Sequence, residues 1–212
     1  MLPFLIIVAL SYLLGSIPFG YILVRIFHGQ DVRESGSGNI GATNVARSSP
    51  VLGIFTLLLD AAKGASAVMV AVLISQLWYL GRPVYEADTA IRAALAAFLA
   101  VLGHMFPIWL KFKGGKGVAT SLGSFALIAP KTTLIMIGIF AITLFAFRFV
   151  SLSSIFAVVL FPLPVWLLRE YHGEPLVLAL ISASSILIVM KHHENIRRLL
   201  VGTEPRFQLR RG

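Results

Sequence analysis

Apolar runs long enough to cross a bilayer alternate with short polar segments along all 212 residues. About 20 apolar residues in helical form span the hydrocarbon core, and residues 1–27, 51–77 and 89–110 each reach that length. Pro18 is expected to kink the first run, because proline removes a backbone donor inside a helix. Residues 118–150 are the ambiguous stretch. As one helix they would run about 50 Å, far beyond a core of about 30 Å. A proline after an apolar run is a break signal, so the stretch divides at Pro130 into two spans. The first is short and is expected to start within the glycine loop that precedes it. Residues 151–168 supply a sixth span and 176–190 a seventh, whose helix is expected to run on through residue 200. The pattern predicts an all-α, polytopic membrane helical bundle of seven transmembrane helices, with residues 1–212 forming a single domain.

Composition agrees with burial in lipid. The chain is 58% apolar and only 13% charged, with a mean hydropathy of +0.88, and a soluble domain of this size needs more polar surface. The first apolar stretch is too long for a secretory leader and no small-residue cleavage site follows it. A formal charge of +9 suggests nucleic acid in a soluble protein. Here no soluble basic module exists to carry that function, and the positive-inside bias with anionic headgroups accounts for the charge. Seven spans put the loops after spans one, three and five on one face together with the C-terminus. That face holds 13 of the 18 lysines and arginines, including Arg25, Arg33, Arg47, Lys111, Lys113, Lys116, Arg148 and Lys191. The N-terminus is therefore expected to be periplasmic and the C-terminus cytoplasmic. With no cysteine, thiolate metal sites and thioester chemistry on the protein are excluded.

Three polar segments on the predicted cytoplasmic face can carry chemistry. The first runs from Ser35 to Arg47 and contains Ser37, Gly38, Asn39, Gly41, Thr43 and Asn44. Glycines let successive N–H groups turn toward one anion, hydroxyls and amides add donors, and Arg47 offers a fork for phosphate. An ordinary flexible loop is the alternative. The second, Lys111 to Gly117, has Gly114, Gly115, Lys116 and Gly117 leading into an apolar helix, which makes either an anion site or a basic loop touching headgroups. It is not a Walker loop, since Gly117 stands where Ser or Thr is required. In the third segment, His192 and Asn195 share a face if the last helix continues; the alternative is a basic helix end that snorkels to the headgroups. Adjacent His192 and His193 cannot point the same way on a helix, so no metal is expected. His104 is a candidate hydrogen-bonding group at a helix end. Asp60 and Lys63, three residues apart within a span, are expected to face inward and to pair.

Taken together, these residues resemble the bacterial acyl-phosphate-dependent glycerol-3-phosphate acyltransferases of the inner membrane. The resemblance rests on GSIPFG (15–20), SGSGNIGATNVAR (35–47), DAAKG (60–64), GHMFP (103–107), GGKGVA (114–119) and the H-x-x-N-I of 192–196, and so covers nearly the whole chain. It implies transfer of a fatty acyl group from acyl phosphate to the 1-hydroxyl of glycerol 3-phosphate, with lysophosphatidate and phosphate as products. It implies small-molecule substrates within membrane lipid, no cofactor, and an active site at the cytoplasmic face of the inner membrane. The glycine-lysine loop is associated with glycerol 3-phosphate, and Ser35, His192 and Asn195 become catalytic candidates. Either His192 or a substrate phosphate takes the hydroxyl proton. Glu204 is expected to fix the tail by pairing with an arginine. No histidine here is followed, with four residues between, by Asp, which argues against the soluble-type acyltransferases. Two rival classes are a transporter of a phosphorylated solute, which would carry its site near the midplane, and a non-catalytic scaffold.

Overall fold

The computed structural model describes residues 2–78 and 86–207. Arg82 and most of the polar connection at 78–88, like Arg210 and Arg211 of the tail, lie outside the described residues. Every regular element among the described residues is helical. The first apolar run is two helices, α1 (Leu2–Ser16) and α2 (Phe19–His28), parted at Pro18. The polar stretch after it folds into a 3-10 turn at Val32–Glu34 and a short helix α3 (Ala42–Ser48), which hydropathy alone did not predict. The long helices α4 (Pro50–Trp78) and α5 (Glu86–Met105) follow, and a second 3-10 turn at Ile108–Leu110 ends the α5 stretch.

The ambiguous stretch does break at Pro130, into α6 (Val118–Ile128) and α7 (Pro130–Phe147). Contrary to expectation, α6 does not begin inside the glycine loop. Gly117 is its N-cap at φ +88°, a left-handed conformation that no helix interior accepts. Then come α8 (Val150–Leu160), α9 (Pro162–Leu167) and α10 (Pro175–Met190). The last helix is not continuous either. α11 (His193–Leu200) is bent from α10 by 53°. The apolar run ends at Met190, and the His192 ring bonds the Ile188 carbonyl, closing the last turn of α10.

Among the described residues, five helical stretches are long and apolar enough to cross a membrane: Leu2–His28, Pro50–Trp78, Glu86–Leu110, Pro130–Phe147 and Val150–Leu167. The bent pair α10–α11 makes a sixth. With 11 residues, α6 is too short to cross alone.

α5 is the centre of the bundle, and α1, α4, α6 and α10 pack on it. Its buried face is built of Ala93, Ala94, Ala96, Ala97 and Ala100. Lipid tails are as apolar as side chains, so membrane helices associate through close packing, which small residues permit. A Cβ on Gly103 of α5 would lie 2.3 Å from Tyr12 O of α1, and one on Gly123 of α6 would lie 1.9 Å from Ala61 O of α4. Large apolar side chains face outward instead, Phe145 on α7 being 90% exposed.

Gly123→Leu must push α6 off α4, at a cost of about 3 kcal/mol, and should lower the thermal midpoint of the detergent-solubilised protein. Gly138→Leu on α7, where a Cβ meets nothing within 4 Å, should leave that midpoint unchanged.

Candidate active site

The glycine-lysine loop is fastened to the end of α5. A helix C-terminus leaves carbonyls without partners. Gly114 N–H donates to Met105 O at 3.1 Å and Gly115 N–H to His104 O at 3.0 Å. Both glycines therefore cap α5, and their amides are not available to an anion. The groups that remain beside the loop are Lys116 and the first turn of α6, whose N-cap Gly117 gives no side-chain cap bond and whose amides have no preceding turn to bond. Gly115 must be glycine for contact: a Cβ there would lie 2.0 Å from His104 Nε2.

The Ser35–Arg47 segment is held from within by Asn44. Its Nδ2 donates to Val32 O and Ser35 O, both at 3.1 Å, and its Oδ1 accepts from Ser37 N at 2.8 Å. Asn44 is thus spent on loop shape. Asn39 Oδ1 accepts from Gly41 N at 2.8 Å, and Gly41 is the N-cap of α3. Gly36 sits at φ +58° beneath the Arg47 side chain, where a Cβ would be 3.3 Å from the guanidinium. Ser35, Ser37, Gly38, Thr43 and Arg47 are exposed, and Ser35 Oγ donates to Val32 O at 3.3 Å.

His192 and Asn195 do not share a continuous helix, yet both are buried beside the loops. Lys116 Nζ donates to Asn195 Oδ1. Asn195 Nδ2 donates to Glu204 Oε1 at 2.7 Å, Ser151 Oγ donates to the same oxygen at 2.6 Å, and Arg198 Nε donates to Glu204 Oε2 at 2.7 Å. With its nitrogen held by Glu204, Asn195 can only turn its oxygen to Lys116. Glu204, whose side chain is 7% exposed, thereby pairs with Arg198 and also orients Asn195. Burial alone would raise the Glu204 carboxyl, but the bonds from Ser151, Asn195 and Arg198 outweigh it and hold it below the usual range. Ser151, 53 residues from Glu204, was not legible as a site residue, since hydroxyls near helix starts are common.

Electrostatics tie the remaining groups to Lys116. Burial pushes its ammonium down to about 8; Glu204 opposes this, and Arg198 and Arg47 add to it. Burial likewise pushes the His192 imidazole down to about 4, with Lys116 adding to the effect. His192 Nδ1 lies 2.7 Å from Ile188 O. A carbonyl can only accept, so Nδ1 carries the proton and the neutral ring keeps a lone pair on Nε2. Asp60, Lys63 and His104 are buried together on the inner side of the loop.

A family model described as glycerol-3-phosphate acyltransferase matches residues 5–202. The chain belongs to the glycerol-3-phosphate acyltransferase family. The glycerol-3-phosphate acyltransferase of Syntrophotalea carbinolica is 42% identical over 209 residues, covering 98% of this chain and 100% of that one. Two crystal structures of PlsY (YgiH), an integral membrane glycerol 3-phosphate acyltransferase, are similar in fold. The glycerol 3-phosphate form aligns with a TM-score of 0.85 and 35% identity over 97% of this chain and 96% of that one. For the lysophosphatidic acid form the TM-score is 0.82, with 34% identity over 97% and 95%.

Within this family member, Glu204 offers a direct test of how the site is held. Glu204→Gln keeps the size but turns an NH₂ group toward a donor whichever way the amide lies. Leaving a buried donor unpaired costs about 1–3 kcal/mol, so the thermal midpoint should fall, and turnover should fall further as Asn195 loses its orientation.

Proposed function

We propose that the chain transfers a fatty acyl group from acyl phosphate to the 1-hydroxyl of glycerol 3-phosphate. The products are 1-acylglycerol 3-phosphate (lysophosphatidate) and phosphate, and the step is the first acylation of phospholipid synthesis. The observation that carries this reading is the meeting of Lys116, Asn195 and Glu204 from separate segments, with Arg47 and Arg198 acting on the same lysine. Such a cluster of cations at the end of an apolar bundle suits two substrates that each bring a phosphate, one with a lipid tail.

An acyl phosphate is a mixed anhydride and already activated, so the protein needs to supply positioning and charge stabilisation rather than a nucleophile. The 1-hydroxyl oxygen attacks the acyl carbon, the bond from that carbon to the phosphate oxygen breaks, and phosphate leaves with the electron pair. Lys116 and the first turn of α6 hold the glycerol 3-phosphate phosphate. Arg47 and the loop around Ser37 to Thr43 hold the acyl phosphate, with Ser35 donating to it or to the reacting carbonyl. His192 Nε2 accepts from the 1-hydroxyl and orients it. With a pKa near 4 the imidazole is a weak base at neutral pH, and a substrate phosphate oxygen takes the proton. The second reading, in which His192 itself takes it, is favoured by the fixed tautomer that frees Nε2.

The enzyme is a single membrane-embedded domain of seven spans in the inner membrane, with its N-terminus periplasmic, its C-terminus cytoplasmic and its site on the cytoplasmic side. α6, too short to cross alone, is taken to complete the seventh crossing together with the Lys116 loop, which would lie below the headgroups. Two contacts support this parity. Phe207 N–H bonds Arg148 O, so tail and Arg148 share a face. Glu170 accepts from Lys131 N and Thr132 N, which joins the loops assigned to the opposite face.

Purified protein given acyl phosphate and glycerol 3-phosphate should form lysophosphatidate, and acyl-CoA in place of acyl phosphate should not support the reaction; absence of product from acyl phosphate sinks the reading. A lysine with a lowered pKa loses its charge as pH rises. KM for glycerol 3-phosphate should therefore climb above about pH 8, and Lys116→Arg, charged throughout, should abolish that climb. The proton question is read from His192→Ala: if turnover falls but the acid limb of its pH profile persists, the substrate phosphate is the base, and if the limb disappears, His192 is.

A further inference from the structure

Three ionisable side chains lie buried where α1 breaks. Asp60, Lys63 and His104 are 2%, 4% and 3% exposed. Lys63 Nζ lies 2.8 Å from Asp60 Oδ1 and donates to Ile17 O at 2.7 Å. His104 Nδ1 is 3.6 Å from the same Asp60 oxygen. Charges inside a membrane bundle are costly to desolvate, and apolar residues of the same volume often hold a fold as well or better. Stability alone does not explain the set. What it touches does.

One arm reaches the first phosphate loop. Ile17 precedes Pro18, and its carbonyl lies at the break between α1 and α2, where its backbone partner is Phe19 N–H at 3.2 Å rather than the amide of a continuing helix. Lys63 adds a second donor at 2.7 Å, the shorter of the two bonds, and so ties the point from which α2 departs to α4. α2 then leads through the turn at Val32–Glu34 into the Ser35–Arg47 segment, and Gly20 of α2 lies so near that segment that a Cβ would be 2.0 Å from Ile40 O. The other arm reaches the second loop. His104 O takes the Gly115 N–H, and the ring's Nε2 lies against Gly115 itself. Lys116 is the next residue.

We propose that Asp60, Lys63 and His104 are positioning residues that register the two phosphate loops against each other. The Asp60–Lys63 pair sets the Ser35–Arg47 loop through Ile17, and His104 sets Lys116 through Gly115. The inference rests on the acyl-transfer reading above, because it assigns one substrate phosphate to each loop.

The arms predict different kinetic signatures. A misplacement of about an ångström costs roughly ten- to a hundredfold. His104→Gln should raise KM for glycerol 3-phosphate by that factor while KM for acyl phosphate stays within about twofold. Lys63→Met, which keeps the length but loses the donor, should raise KM for both substrates, since the Asp60 partner of His104 is also released. Lys63→Arg, which keeps a donor for Ile17 O, should recover the acyl phosphate KM. A general loosening of the fold would not separate the two substrates. Thermal midpoints are measured alongside, and a variant that melts below the assay temperature is replaced by Lys63→Gln or His104→Asn. Unchanged KM values in folded variants overturn the proposal. So does an equal rise of both KM values in His104→Gln, and so does failure of every substitution to fold. Lys116→Ala separates this proposal from its parent. If the unaltered enzyme makes no lysophosphatidate, both readings fall; if it does, with a KM that responds to Lys116→Ala but not to the buried set, only this one falls.

Discussion

The hydrogen bond from Lys116 to Asn195 is the contact on which the arrangement of the site depends. It joins the start of α6 to the start of α11, which are 79 residues apart in the chain. A lysine ammonium in a recess is strongly hydrated when free and costly to desolvate. It stays there because Asn195 presents an oxygen to it, and Asn195 does so because Glu204 occupies its nitrogen. Glu204 in turn is held by Ser151 and Arg198. Each link satisfies a polar group that would otherwise be buried without a partner, so the chain of bonds is specific about orientation as well as position.

The glycines serve a different purpose from the one their number suggests. A glycine-rich loop beside a lysine invites the idea of a cradle of free amides. Here Gly114 and Gly115 spend their amides on the last carbonyls of α5, and what they contribute is the close approach that sets Lys116 at the mouth of α6. The same logic runs through the bundle. α1 meets α5, and α4 meets α6, at glycines whose missing Cβ lets backbone touch backbone. Close packing and the placing of charge are thus one problem in this fold, since a helix displaced by a methyl group would move the loop at its end.

Asn44 and His192 show why a residue's chemistry does not announce its employment. Asn44 looks like a ligand for phosphate, but its side chain bonds the backbone of Ser35, Ser37 and the preceding turn at Val32. His192 looks like a base of ordinary strength, but burial and Lys116 depress it to about 4. A neutral imidazole with a fixed tautomer is well suited to accepting a hydrogen bond at Nε2.

Much of the architecture was legible in the sequence, because the cost of exposing polar backbone to lipid is local and falls on every residue of a span. Hydropathy located the long helices, Pro130 divided the overlong stretch, and the spacing of Asp60 and Lys63 anticipated their pairing. The short helix α3, the bend after Met190 and the start of α6 at Val118 were not legible, since each depends on a capping contact or a backbone angle rather than on an apolar run. Only the tertiary structure decided which carbonyl Gly115 caps, which way Asn195 faces and that Ser151 meets Glu204. Those choices are made after the helices pack, when the polar groups left over must find partners among whatever the bundle has brought within reach.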